Sequence, residues 1–147
     1  MKKVLFILLV TGILISCSSD ETTDNYDYFE VWQLTKMTGS FEGSETTGIN
    51  MEWQETYKLN ANGSFKKVRV VDELLIEKTG VYIYKNLNEQ NVIEFTYEEA
   101  NSIIGNCTGD LKEVLLIIEE GSKLKGTWQA CDGPGLEYEQ MFFCGTN

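Results

Sequence analysis

The chain has 147 residues, enough for one domain and a tether, and carries 23 acidic against 12 basic residues. So acidic a surface repels nucleic acid and anionic lipid headgroups, and neither is expected as a partner. The chain contains no His, which removes the usual general base near neutral pH, the Ser-His and Cys-His nucleophile pairs and the commonest zinc ligand. We therefore expect no enzyme, no catalytic residues, no metal and no cofactor.

The first 16 residues are typical of a secretory signal. Lys2 and Lys3 precede an apolar run over residues 4–15 that is too short to span a membrane. The Leu-Ile-Ser-Cys sequence that ends at Cys17 resembles the lipobox of bacterial lipoproteins. The resemblance implies cleavage after residue 16, a diacylglyceryl group on Cys17 and a lipid anchor in a membrane. The alternative is an ordinary signal peptide followed by a chance cysteine.

Residues 17–28 comprise the lipidated Cys and a polar, acidic stretch without periodicity, which predicts a flexible tether. Its Ser19-Asp20-Glu21 start resembles the acidic export signal of surface lipoproteins in the Bacteroidota. We expect anchoring to the outer membrane within the bacterial cell envelope, with surface exposure as a hypothesis. Loss of Lys2 and Lys3 on cleavage leaves ten basic and 23 acidic residues, a net charge of −13.

Residues 29–147 contain about eight strand-like runs and no stretch with a sustained helical period. The runs are 29–37, 51–59, 64–71, 74–78 with 81–85, 92–97, 111–118, 123–131 and 136–144. Gly80 marks a bulge or kink within one run, and residues 98–103 have room for one helical turn. Short sequential connections favour an all-β fold, an up-and-down antiparallel β-barrel. An eight-stranded barrel is either filled by side chains or holds one small ligand, and the sequence leaves both open.

A hairpin is the clearest local prediction. Apolar and polar residues alternate over residues 51–59, and the turn at residues 60–63 ends on Gly63, which supplies the left-handed residue of a bulged loop. The turn sets the register, with Leu59 opposite Phe65, Tyr57 opposite Lys67, Glu55 opposite Arg69 and Trp53 opposite Val71. One face then carries aromatic side chains with the Glu55–Arg69 pair among them.

This face supplies the candidate ligand-binding residues. They are Trp53, Glu55, Tyr57, Phe65, Lys67 and Arg69. The few polar groups in this set would orient a ligand among the aromatic side chains. Two other interpretations of the Glu55–Arg69 pair stay open. It could be a structural ion pair in a filled barrel, or a pair that faces solvent.

Six segments resemble, in order, the lipocalin-like domain of Bacteroidota lipoproteins. They are residues 32–34, 55–57, 62–69, 80–82, 105–107 and 130–138. The resemblance implies a lipocalin-like, calycin-type β-barrel that binds a small apolar molecule and has no catalytic set. True lipocalins place a Gly two residues before the first-strand Trp, whereas Glu30 and Val31 precede Trp32 here. The chain is also shorter, which implies a small or absent cavity.

Three cysteines remain after Cys17, an odd number for an oxidising compartment. A hairpin that turns near Gly121 places Cys131 beside the loop at residues 106–110. Cys144 lies at the far end of the last strand, about eight residues from the turn that follows Cys131. At roughly 3.3 Å per residue that is more than about 20 Å, whereas a disulfide needs a Cα separation of about 4.4–6.8 Å. We predict a Cys107–Cys131 disulfide and a leftover Cys144 thiol that packs as a small apolar residue.

Two classes of function follow. The first is a lipid-anchored cell-envelope lipoprotein whose barrel binds a small apolar or amphipathic ligand, and the family resemblance favours it. The second is a non-catalytic interaction or structural lipoprotein with a filled core that contacts a protein or glycan partner.

Overall fold

The computed structural model describes residues 28–142. The predicted signal peptide, Cys17, the tether up to residue 27 and Cys144 lie outside this range. No helix within it is long and apolar enough to cross a membrane. The strands of this part of the chain are β1 Tyr28–Thr38, β2 Thr46–Thr47, β3 Gln54–Asn60, β4 Ser64–Val71, β5 Leu74–Leu87, β6 Gln90–Tyr97, β7 Lys112–Ile118, β8 Lys123–Gly126 and β9 Gly135–Gln140.

Eight of these strands close into an antiparallel barrel. From β3 to β9 each strand pairs with the next along the chain, and β1 pairs with both β3 and β9. This confirms the predicted up-and-down β-barrel. The two-residue β2 lies between the first two predicted runs and adds to β1 outside the closed ring.

The barrel has two different ends. At the terminal end β1 begins and β9 ends, and three short turns at residues 61–63, 88–89 and 119–122 connect the strands. At the loop end the connections are residues 39–53, 72–73, 98–111 and 127–134. Because β1 enters at the terminal end, any segment that precedes it reaches the barrel from that side.

The predicted hairpin is present as β3 and β4. Its ladder pairs Leu59 with Phe65, Tyr57 with Lys67 and Glu55 with Arg69, as the turn required. Gly63 has the expected positive φ of 85°. The ladder ends at Gln54 and Val70, and the predicted Trp53–Val71 pair lies one position beyond it in the same register.

A single strand, β5, replaces the two runs predicted around Gly80. It is 14 residues long, and its first half pairs with β4 while its second half pairs with β6. Neither ladder has a register shift at Gly80, so the predicted bulge is absent. Gly80 is buried at the overlap of the two ladders, where a Cβ would collide with the Thr96 carbonyl and the Phe65 ring.

The predicted strand over residues 123–131 ends early, at Gly126, and a 3₁₀ turn at Trp128–Cys131 follows. This turn carries Cys131 to Cys107, and their disulfide has a Cα separation of 5.6 Å. The predicted pairing is confirmed. It joins the loop at residues 98–111 to the 3₁₀ turn across the loop end.

Interlocked aromatic rings fill the middle of the barrel. The Tyr57 ring lies 4.7 Å from Phe95 and 5.3 Å from Tyr138, measured between ring centroids. Phe65 contacts Phe95 edge to face at 4.9 Å. Because these rings come from β3, β4, β6 and β9, they join opposite walls of the barrel.

We predict that Gly80→Ala destabilises the protein. The added methyl meets backbone and a packed ring, and overpacking of this kind costs about 1–3 kcal/mol. Gly126→Ala is the matched control, because its Cβ would make an ordinary 3.4 Å contact with Leu136. The control should be neutral or up to about 1 kcal/mol more stable. Urea unfolding measures both, and equal stabilities would contradict the assigned role of Gly80.

Candidate functional site: a buried charge cluster

Four charged side chains lie inside the barrel, in the half nearer the loop end. They are Glu55, Lys67, Arg69 and Glu113, and each is at most 7% exposed. The alternation of β3, β4 and β7 directs all four inward, because side chains two residues apart share a face. Two carboxylates and two cations give this interior charge cluster a formal charge of zero.

Lys67 lies between the two carboxylates. Its Nζ is 3.1 Å from Glu55 Oε1 and 3.0 Å from Glu113 Oε2. Arg69 donates from Nε to the other oxygen of Glu55 at 2.5 Å. The cluster therefore connects β3, β4 and β7 across the interior.

Both cations also donate to one backbone oxygen of the loop at residues 98–111. Lys67 Nζ lies 2.7 Å from the carbonyl oxygen of Ile103, and Arg69 Nη2 lies 3.5 Å from it. Asn101 supports this position, since its side chain accepts a hydrogen bond from the Ile103 N–H. The Ile103 side chain is 1% exposed, so the loop covers the cluster from the loop end.

Two tyrosine hydroxyls donate to the same carboxylate oxygens that Lys67 contacts, Oε1 of Glu55 and Oε2 of Glu113. Tyr138 donates to Glu55 at 2.6 Å and Tyr97 donates to Glu113 at 2.5 Å. Burial raises the pKa of both phenols well above its usual value, and the neighbouring carboxylates raise it further. Tyr57 shares this environment, and burial is again the main cause of its raised pKa.

The cations contact aromatic faces as well. Lys67 Nζ lies 4.8 Å from the centroid of the Tyr57 ring, and Arg69 Cζ lies 4.2 Å from that of the Trp53 ring. Trp53 Nε1 and the Tyr57 hydroxyl are buried without a hydrogen-bond partner among residues 28–142. These two groups are the polar atoms of the site that the neighbouring side chains leave unsatisfied.

The structure brings the six predicted ligand-binding residues together. Trp53, Glu55, Tyr57, Phe65, Lys67 and Arg69 form one buried region, and none is more than 8% exposed. Their polar groups are largely used by one another, by the Ile103 carbonyl and by Glu113. The sequence prediction that they bind a ligand stays a prediction.

Sequence reasoning missed Glu113, Tyr97, Tyr138 and Ile103. Glu113 had a usable signal, because a lone acid two residues before Leu115 in an apolar strand points to the same face as Leu115. A buried acid needs a buried cation, so Lys67 was its natural partner. The contribution of Ile103 had no such signal, since it is a backbone atom of an irregular loop.

A cleft of about 730 Å³ lies at the terminal end, where the pairing of β6 with β7 ends at Val92 and Leu116. Its walls include Tyr84, Asn91 and Ile117. A smaller groove of about 330 Å³ lies at the loop end.

Within residues 28–142, no group of three or more Cys, Asp or Glu side chains is arranged to hold a metal ion. Comparison with protein-family models, curated proteins and solved structures found no match. The site must therefore be interpreted from its own geometry.

We predict that Lys67→Met destabilises the protein by about 3–5 kcal/mol, because it leaves Glu113 as a buried carboxylate without a cation. The double variant Lys67→Met/Glu113→Gln removes both charges and should recover at least about 1 kcal/mol of that loss. Lys125→Met on β8 is the surface control, with an expected effect within about 0.5 kcal/mol. Equal losses in the single and double variants would show that the ion pair contributes nothing specific.

Alkaline pH should weaken the fold. Because the pKa of Tyr57, Tyr97 and Tyr138 is raised in the folded protein, the unfolded chain releases these phenolic protons first as pH rises above about 10. Each retained proton then lowers the free energy of unfolding by about 1.4 kcal/mol per pH unit. Urea unfolding from roughly pH 9 to 11.5, a range that brackets the ordinary pKa of a tyrosine phenol, measures this slope. Tyr138→Phe should reduce it, and an unchanged slope would contradict the assignment.

Proposed function

We propose that the protein is a lipid-anchored, non-catalytic component of the bacterial cell envelope that contacts a partner through the outside of a filled barrel. One observation carries the proposal. The six residues predicted to bind an internal ligand are packed against one another and covered by Ile103. A partner would then meet the outer surface and the end loops.

The lipid anchor is proposed from the sequence around Cys17, and the fold gives it a geometric consequence. The chain reaches β1 at the terminal end, so an anchor at Cys17 puts that end toward the membrane and the loop end away from it. Residues 18–27 would hold the barrel at most about 35 Å from the anchored Cys. The loop end would therefore be the more accessible surface.

A second candidate is the binding of a small amphipathic ligand, and the cleft at the terminal end favours it. The cleft combines the apolar side chain of Ile117 with polar groups from Asn86 and Asn91. Its volume of about 730 Å³ falls in the range of small-molecule sites. The ligand would then bind at the terminal end of the barrel.

Native mass spectrometry of the protein purified gently from its own host should distinguish the two candidates. We expect the mass of the mature polypeptide with its acyl groups and no second small molecule. Cys17→Ser is the control, and it should lose the acyl mass and leave the membrane fraction. A reproducible added mass that leaves on denaturation, and that Ile117→Trp abolishes while the outward Ile83→Trp does not, would overturn the filled-barrel proposal in favour of the cleft.

A further inference from the structure

The basic residues are confined to the strands, and the connections of the loop end carry only acids. All ten Lys and Arg residues after Cys17 lie within strands. The four connections of the loop end contain no basic residue and nine acidic ones, all exposed. The acids are Glu42, Glu45, Glu52, Asp72, Glu73, Glu98, Glu99, Asp110 and Asp132.

These carboxylates are only partly balanced by strand lysines. Lys36 lies 3.8 Å from Glu45, and Lys78 lies 2.5 Å from Glu99. The turns of the terminal end carry three acids, Glu89, Glu119 and Glu120, so the negative charge of the connections is concentrated at the loop end. Among residues 28–142 the acids are not grouped as metal ligands are, which favours an extended cationic partner over a bound ion.

The same end also presents apolar side chains to solvent. Ile49 is 97% exposed and Phe41 is 75% exposed, and Leu74 and Leu75 beside the turn at residues 72–73 are 62% and 57% exposed. Large side chains exposed this far gain the most free energy from being covered by a partner.

Local hydrogen bonds hold the backbone that carries Ile49 and Phe41. The Gly48 carbonyl next to Ile49 accepts from Gln54 Nε2 at 2.7 Å and from the Met51 N–H at 3.3 Å. The Phe41 carbonyl accepts from Ser44 Oγ at 2.6 Å. Phe41 also borders the 330 Å³ groove, whose other walls include Met37 and Pro134. A loop backbone that is already ordered loses less conformational entropy on binding.

We propose that the loop end docks a basic protein segment, with Lys or Arg side chains against the exposed carboxylates and an apolar side chain in the groove beside Phe41. Charge complementarity selects this occupant, because an anionic membrane surface or nucleic acid would be repelled. The inference rests on the proposed function and specifies the chemistry of the partner. It also fits the expected orientation, in which the loop end is the membrane-distal one.

The probe is a synthetic peptide, Lys-Lys-Phe-Leu-Lys-Lys, titrated into the mature lipoprotein in neutral detergent micelles at about 0.15 M salt, where charges interact over about 8 Å. We expect saturable binding that weakens as salt rises. The triple variant Glu42→Gln/Glu45→Gln/Glu52→Gln should weaken it at least about threefold. The matched triple variant Glu89→Gln/Glu119→Gln/Glu120→Gln, at the terminal end, should change it less than about twofold. Equal losses in both variants, or no binding, would overturn the proposal.

The apolar contribution is tested separately. Phe41→Ser and Ile49→Ser should each weaken peptide binding, whereas Ile83→Ser on the outer face of β5 should not. Replacement of the two apolar residues of the peptide by Gly should abolish the difference between Phe41→Ser and the parent protein. If Phe41→Ser and Ile49→Ser bind as the parent does, attraction is electrostatic alone and the docking groove is refuted.

Photo-crosslinking in intact cells separates this inference from the proposed function. A photoreactive residue at position 49 should capture a basic protein, and the same residue at position 83 should not. Capture from position 83 alone would overturn docking at the loop end while leaving an outer-surface interaction intact. Capture from neither position, nor from other outward positions of the barrel, would overturn both.

Discussion

The ammonium group of Lys67 is the contact on which the interior of this barrel depends. It joins the two buried carboxylates and donates a hydrogen bond to the Ile103 carbonyl that covers them. A charged side chain inside a protein is costly unless it is paired and hydrogen-bonded. Here the pairing is spread over β3, β4 and β7, so the charges are satisfied only when the barrel is closed. A one-residue slip of β4 would turn Lys67 and Arg69 outward and leave both glutamates buried without them.

Because side chains fill the interior, the outer surface and the loops are what a partner would contact. Tyr57, Phe95 and Tyr138 occupy the middle of the barrel, and the ion-paired layer lies above them toward the loop end. The lysine and arginine residues lie on the strands. Their long side chains pair with acids inside the barrel and on its outer face. That distribution leaves the connecting loops with only acids and with exposed apolar side chains, which is the combination that a basic partner would recognise.

Local sequence determined much of this fold but not its long-range contacts. The β3–β4 register followed from the turn at Gly63, because a tight turn and a period of two leave one alignment. The unbroken course of β5 through Gly80 did not follow, since it depends on how Phe65 and the Thr96 carbonyl approach from neighbouring strands. Glu113 belongs to the same class, because its partner Lys67 lies 46 residues earlier in the chain.

The sequence located only part of the candidate site, because the other part is brought in by contacts between residues far apart in the chain. Its β3 and β4 residues share a hairpin and could be grouped from sequence, whereas the covering carbonyl of Ile103 comes from a loop that is tied down through Cys107 and Cys131. The segregation of acids into the loop end required the strand boundaries, since a count of charges along the chain shows only that they are scattered.

The direct pairing of β1 with β9 closes the barrel by placing its first and last strands side by side. Trp32 lies opposite Gln140, so the first and last strands are already neighbours at the terminal end. A short linker between them, with the chain opened at Asn88 and Glu89 instead, would keep every strand pairing described above. The order in which the strands are encoded is therefore separable from the architecture they build, and the protein is suited to circular permutation.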